Sequence, residues 1–202
     1  FLDAIKITFI PDKKTELFTF KKGELDMIYR LPTEHIIEIL EASTSKNGEY
    51  SEYNLQLDAE MNTHVLGFQM NDDVFKNINV RKAFSFAINR EIILGEVLGG
   101  EGYAPGNFGI TPPIPQFKDN GYDATQIKGY SLNLDSAMYY LNKAGYKNGK
   151  GFPKTTLDLN AGGERNTNVA EEVVKQLKEN LNIEVEINIV PMAQHIENFQ
   201  HA

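Results

Sequence analysis

The sequence predicts an α/β fold, and the order of its elements in two regions supports this class. Residues 1–41 read as strand, helix, strand, helix, and residues 155–190 read as strand, helix, strand. Such alternation is typical of a sheet covered by helices. The second run also predicts a parallel pair of strands joined by a right-handed crossover.

The composition agrees with a globular protein and excludes several classes of function. Of the 202 residues, 41% are hydrophobic and 24% are charged, and the net charge is −8. Nucleic-acid binding requires clustered lysine and arginine, so this charge argues against a nucleic-acid partner. The chain lacks cysteine, which excludes disulfides, cysteine-bound zinc and thiol catalysis. No apolar run reaches the roughly 20 residues of a membrane span.

The first forty residues supply two predicted strands and two predicted helices. Residues 4–10 alternate between apolar and polar side chains, which predicts a half-buried strand. Residues 13–22 predict a short helix, and residues 25–29 predict a second strand. A second helix is expected from Pro32 to about Glu41, because proline fits the first helical turn.

The stretch at residues 75–100 predicts one amphipathic helix, after two further predicted strands at residues 50–58 and 62–71. We expect Asn79 to cap its start, because the asparagine side chain can accept hydrogen bonds from free N–H groups of the first turn. A pair of glycines at residues 99–100 is expected to end it. Its apolar residues at helical spacing are Val80, Ala83, Phe84, Ala87 and Ile88.

The second half of the chain begins with a proline-rich stretch and continues with regular elements. Four prolines within residues 102–121 argue against helix and central strand, which leaves a long loop, either ordered or disordered. The remaining predicted elements are a helix at 134–144, a strand at 155–160, a helix at 165–181, a strand at 183–189 and a helix at 191–200.

Four segments carry a resemblance to a known protein family. They are KKGELDMIYRLP, THVLGFQMN, VRKAFSFAINREIIL and AGYKNGKGFP, in this order along the chain. They resemble segments of the family 5 extracellular solute-binding proteins, which are the peptide, dipeptide and nickel receptors of ABC importers. The chain departs from the family pattern at Asn89, where aspartate is usual, and it lacks the proline that usually precedes Phe75.

The resemblance implies a fold and a domain organisation. We expect an α/β, periplasmic-binding-protein-like lobe of the class II type, with a mixed sheet flanked by helices, truncated from a larger two-lobed protein. Residues 1–60 would be the tail of lobe I up to the hinge, and residues 61–202 would be lobe II, incomplete at the C-terminus. The hinge is expected near residues 58–66.

The resemblance also implies a function. The protein would be the substrate-binding component of an ABC importer, capturing an oligopeptide or dipeptide in a cleft between two lobes and delivering it to the membrane permease. Nickel, haem and oligosaccharide receptors share the same segments, so the ligand stays open. We expect no catalysis, cofactor or metal, and a monomer in the periplasm or outside the cytoplasmic membrane as a lipoprotein.

The loop between the strand at 155–160 and the helix at 165–181 is the candidate ligand site. Ligands gather at such loops in open α/β sheets, beside helix starts whose free N–H groups suit a carboxylate. Its glycines would let a ligand approach the backbone, and Arg165 can add a bidentate contact. A plain surface turn with Arg165 in solvent is the alternative. The candidate residues are Asn160, Gly162, Gly163, Glu164, Arg165 and Asn166, to which the resemblance adds Phe68 and Asn71.

An enzyme on an α/β fold, with its site at residues 160–166, is the alternative from a different class. This loop lacks the Lys-Ser/Thr pair of a P-loop and the spaced glycines of a dinucleotide site. The four histidines are scattered along the chain, and no Ser-His-Asp arrangement can be argued. Binding of peptides without turnover would separate a receptor from such an enzyme.

Overall fold

The computed structural model describes residues 2–44, 50–161 and 163–200 of the chain. Contacts within the chain divide it into two compact units, Phe1–Gln56 and Leu57–Ala202. The lobe boundary that the resemblance places after residue 60 stays a prediction.

The first unit contains two helices that pack on a small apolar cluster. Helix α1 spans Lys13–Lys21, and Asp12 caps it by accepting a 2.7 Å hydrogen bond from the backbone N–H of Thr15. A 3₁₀ turn precedes helix α2, which spans Ile36–Thr44. Both predicted helices are therefore confirmed. The cluster between them contains the buried residues Leu17, Ile39 and Tyr50.

The strands predicted at residues 4–10, 25–29, 50–58 and 62–71 are wrong, because none of these segments forms a strand. In the part of the chain that the structure describes, one pair of strands makes up the whole sheet. A strand exists only where its backbone N–H and C=O groups bond to a neighbouring strand. The apolar residues of the 4–10 segment are correspondingly exposed, with Phe9 at 91%.

The second unit is built around three helices. Helix α3 spans Ile78–Ala87, helix α6 spans Leu134–Lys143, and helix α7 spans Glu164–Leu181. All five residues of the predicted apolar stripe are buried: Val80, Ala83, Phe84 and Ala87 form the buried face of α3, and Ile88 follows its last residue. The buried residues of this core are Val80, Ala83, Phe84, Ala87, Ile88, Ala137, Leu141, Val173, Leu177, Leu181 and Ile183.

The parallel pair predicted for the second unit is also confirmed. Strand β1 spans Thr155–Asn160 and pairs in parallel with strand β2, which spans Val185–Val190. Helix α7 connects the two strands. Helix α8 follows at Met192–Gln200. Together these elements place the end of β1 beside the start of α7, which is the candidate ligand site.

The single helix predicted at residues 75–100 is wrong, because the helix is interrupted at residues 88–89. Ile88 has extended backbone angles, with φ −100° and ψ 121°. The side chain of Asn89 then accepts from the N–H groups of Glu91 and Ile92, which starts a new turn, α4, at Arg90–Ile92. A π-helical segment continues it through Ile93–Val97. Residue 89, where the sequence departs from the pattern of the family it resembles, is thus a helix cap, a role that asparagine fills as well as aspartate.

The start of α3 also differs from the prediction. The helical stretch that follows it ends before Gly99 and Gly100, as predicted. Asn77, not Asn79, caps α3, and its side chain accepts a 2.9 Å hydrogen bond from the N–H of Asn79. Asn79 is therefore already inside the helix. Gly99 and Gly100 have left-handed φ angles of 58° and 80°, as a helix end requires.

Side chains from other elements satisfy the backbone groups freed at the interruption. The N–H of Asn89 donates to the buried Gln176 of α7 at 2.6 Å, and Asn180 of the same helix donates to the carbonyl of Ala87 at 2.7 Å. Arg90 donates to the carbonyls of Ser85, Ile88 and Tyr130. Burial lowers the pKa of the Arg90 guanidinium from its usual value.

The turn in the AGYKNGKGFP segment packs against the end of α7. Gly145 has a φ of 100°, which ends α6 as predicted. Gly149 has a φ of 78°, and a Cβ atom at this position would lie 2.4 Å from the carbonyl oxygen of Leu181. Only glycine fits such a contact at this backbone angle. The amide of Asn182 also reaches the carbonyl of Asn148, at 3.5 Å.

The proline-rich stretch at residues 102–121 is an ordered loop, and the expectation that it contains no helix is wrong. Helix α5 spans Pro115–Lys118, with proline at its first position, where the missing N–H costs nothing. Ile114 anchors the loop with 1% exposure. The N–H of Tyr130 donates to the carbonyl of Asn107 at 3.1 Å, which ties the first part of the loop to the segment before α6.

Candidate functional site

The end of β1 and the first turn of α7 form the candidate site. Asn160 is the last residue of β1, and its side-chain oxygen accepts a 3.3 Å hydrogen bond from the amide of Asn166. Gly163 precedes the helix with φ 88° and ψ 179°, and a Cβ atom there would meet no atom of the described residues within 4 Å. The site therefore has open space directly above its backbone. Gly162 lies outside the described residues.

Arg165 is held by a partner that the sequence did not indicate. Its Nε donates to Oε2 of Glu101 at 3.0 Å, and the two side chains are 21% and 18% exposed. The pair joins the first turn of α7 to the turn that follows Gly100. A ligand carboxylate at Arg165 would have to compete with the carboxylate of Glu101.

The charges around the first turn of α7 include a second carboxylate. Glu164 is the first residue of the helix and is exposed. A negative charge near a helix start is favourable, because the helix dipole is positive there. Gly163, at the cap position, has no side chain that could accept from the free N–H groups of this turn. The site thus offers backbone donors, two asparagine amides and an arginine paired with glutamate.

The two site residues suggested by the resemblance lie elsewhere in the second unit. Phe68 packs in the aromatic part of the core, with ring centroids 5.2 Å from Phe75 and 6.1 Å from Phe84. Asn71 is exposed in a turn. Both the hydrophobic packing of Phe68 and the exposure of Asn71 are visible only in three dimensions.

Clusters of three or more metal ligands and membrane-spanning helices are both absent from the described residues. Among residues 2–44, 50–161 and 163–200, no three or more histidines and carboxylates come together as metal ligands. In the same residues, every helix is too short or too polar to cross a membrane.

Sequence reasoning missed Glu101 because it is 64 residues from Arg165, and no spacing rule connects positions so far apart.

Comparison with known proteins places the whole chain in one family profile. The profile of bacterial extracellular solute-binding proteins, family 5 Middle, matches residues 1–201. Oligopeptide-binding protein OppA of Bacillus subtilis is 28% identical over 199 residues, covering 93% of this chain and 33% of that protein. Dipeptide-binding protein DppE of the same organism is 27% identical over 190 residues, covering 92% and 32%. The chain therefore spans about a third of the length of these relatives.

A solved structure shows the same fold. Haemophilus influenzae OppA in complex with RPPGFSPFR aligns with a TM-score of 0.70 at 21% identity, covering 94% of this chain and 35% of that one. This likeness confirms the periplasmic-binding-protein-like α/β class. The described part of the sheet is the single parallel pair β1–β2, flanked by helices.

Proposed function

Because this chain belongs to the bacterial extracellular solute-binding proteins of family 5, we propose that it is part of the substrate-binding component of an ABC importer. It would capture an oligopeptide or dipeptide between two lobes and deliver it to membrane permease subunits. The observation that carries this proposal is the family match across residues 1–201, supported by relatives named oligopeptide- and dipeptide-binding proteins.

The proposal also assigns parts of the chain to the two lobes and the hinge. Residues 1–60 would end lobe I, residues 58–66 would hold the hinge, and residues 61–202 would belong to lobe II. Two lobes that close on a hinge bury the ligand between them. The protein would act outside the cytoplasmic membrane as a monomeric lipoprotein that binds without chemical conversion of its ligand.

The proposed ligand contacts lie at the end of β1 and the start of α7. Asparagine amides at positions 160 and 166 can pair with peptide backbone groups, and the free N–H groups after Gly163 can donate to an oxygen. The open space above Gly163 supports close approach of a ligand. A ligand carboxylate at Arg165 would lie beside the carboxylate of Glu101, which already accepts from Nε and competes for the same positive charge. Phe68 would act through the core, and Asn71 is the remaining exposed candidate.

Calorimetry on the full-length protein tests the proposed function. A mixture of tripeptides to pentapeptides should give saturable binding heat, and the recovered peptides should be unchanged in mass. Nickel–histidine, haem and an oligosaccharide are the alternative ligands that the resemblance leaves open, and each should be titrated in the same way. Saturable heat with one of these and none with peptides would assign another ligand, and cleaved peptide would indicate an enzyme.

Replacing Arg165 and Glu101 tests the proposed contact in the same full-length protein. Arg165→Ala should weaken binding of a free-acid peptide by roughly 1.5–3 kcal/mol, the scale of a charged hydrogen bond, and leave its C-terminally amidated form nearly unchanged. Glu101→Gln should strengthen binding of the free acid, because it removes the competing carboxylate. Equal affinities for both peptide forms in all three proteins would exclude Arg165 from the site while leaving peptide binding itself intact.

A further inference from the structure

The ordered proline-rich loop encloses a cleft that the proposed function does not use. Its volume is about 330 Å³, near the lower end of the range for small-molecule sites. Two tyrosines and two prolines are among the residues that line it: Tyr103, Pro113, Pro115 and Tyr122. Side chains of these types can offer apolar surface to a ligand, and all four residues belong to the second unit.

The walls of this cleft are fixed by contacts of the loop itself. Ile114 and Ala124 are buried, with 1% and 4% exposure, at the two sides of α5. The N–H of Tyr122 donates to the carbonyl of Phe117 at 3.0 Å, and the two rings meet edge to face with centroids 6.2 Å apart. These contacts hold the backbone on this side of the cleft in place.

The hydroxyl of Tyr122 is a buried polar group without a hydrogen bond among the described residues. It is shielded from solvent, and within the described part of the chain it has no partner. Buried polar groups of this kind are rare, because losing water without gaining a partner costs free energy. A ligand that enters the cleft and shifts the side chains around the hydroxyl can supply the missing partner.

Charges of both signs stand at the cleft. Lys118 brings an ammonium, and Asp119 and Asp123 bring carboxylates. Within residues that the structure describes, neither Lys118 nor Asp119 forms an ion pair. A ligand with one positive and one negative group would pair with both kinds of side chain at once.

We propose that this cleft binds an amino-acid-sized zwitterion with an apolar side chain. The side chain would lie against the proline and tyrosine rings, the ligand carboxylate would face Lys118, and the ligand ammonium would face Asp119 and Asp123. The Tyr122 hydroxyl would bond a polar atom of the ligand. This site is independent of the peptide site proposed at α7.

Titration of L-leucine and L-phenylalanine into the isotope-labelled chain, followed by NMR, tests the proposal. The backbone amides of Tyr103 and Tyr122 should shift saturably. N-acetyl-leucine and leucinamide each lack one charge, and both should bind at least tenfold more weakly than leucine. The absence of saturable shifts, or equal affinity for leucine and its two analogues, would overturn the proposal.

The variant Tyr122→Phe removes only the hydroxyl and separates a binding role from a structural one. It should bind leucine roughly threefold to tenfold more weakly, the effect of one lost hydrogen bond. Its melting temperature without ligand should equal or exceed that of the original protein, since no hydrogen bond is lost. Tyr139→Phe, at an exposed tyrosine outside the cleft, is the matched control. A lower melting temperature for Tyr122→Phe, or unchanged leucine binding, would contradict the proposal.

Discussion

Two regions of this chain have the same alternating pattern and different structures. Residues 4–10 alternate apolar and polar side chains but form no strand, and Ile5, Ile7 and Phe9 are 77%, 74% and 91% exposed. Residues 155–160 form β1, and Leu159 is 8% exposed. The second region has a parallel partner, β2, and a covering helix, α7. Alternation therefore marks a segment that can be a strand, and a partner makes it one.

The same comparison separates buried apolar residues, which stabilise the fold, from exposed apolar residues, which do not. The core of the second unit buries an entire face of α3, whereas the 4–10 segment leaves its apolar side chains in solvent. Burial of apolar area contributes about 25 cal/mol per Å², so equal residue types should differ widely in effect. Substitutions can measure this difference directly.

The largest expected effect is the contrast between Phe84→Ala and Phe9→Ala. Phe84 is 5% exposed and touches the rings of Phe68, Phe75 and Phe152, so its loss should destabilise the chain by roughly 3–5 kcal/mol. Phe9→Ala should change the free energy of unfolding by less than about 0.5 kcal/mol. Urea unfolding of both variants measures the difference. A similar loss for both would show that the 4–10 segment is buried in solution.

A second contrast compares two glycines in the turn after α6. Gly149→Ala should cost more than about 2 kcal/mol, because the added Cβ would meet the carbonyl oxygen of Leu181 at 2.4 Å and the φ is +78°. Gly145→Ala has a similar φ of +100° but nothing within 4 Å, so it should cost about 1 kcal/mol. Thermal unfolding measures both.

Equal costs for the two glycine variants would show that the backbone angle alone matters. The close packing of the AGYKNGKGFP turn on α7 would then contribute nothing measurable to stability. A larger cost at Gly149 would explain why this segment has glycine at position 149. A larger side chain there would collide with the carbonyl oxygen of Leu181, 32 positions later in the chain.

Local patterns predicted several elements of the second unit, because these elements carry their own signals, while the strand at 62–71 and the single helix at 75–100 were wrong. Strand β1, helix α7 and the buried stripe of α3 all followed from periodicity, and the four segments predicted the family that the profile match confirmed. The interruption at residues 88–89 could not be read in advance. Its stability depends on Gln176 and Asn180, which lie about ninety residues away.

The candidate site was predictable only in part, for the same reason. The sequence placed Asn160 at a strand end and residues 164–166 at a helix start, and the structure has both elements there. The pairing of Arg165 with Glu101 depends on the fold of the whole second unit. The role of these residues in binding stays a proposal.

A third contrast tests whether distant side chains replace a missing partner. The extended residues 88–89 resemble the 4–10 segment in lacking a strand partner, but Gln176 accepts from the N–H of Asn89 at 2.6 Å. Gln176→Ala leaves that partly buried N–H without its acceptor, which should cost about 1 kcal/mol. Glu171→Ala, on an exposed position of the same helix, should cost under about 0.5 kcal/mol. Hydrogen exchange of the Asn89 amide adds a local measure, and it should be faster only in Gln176→Ala. Unchanged exchange of the Asn89 amide in Gln176→Ala would mean that Arg90 and Asn180 alone stabilise the interruption. The Gln176 side chain would then not replace the acceptor that a neighbouring strand provides.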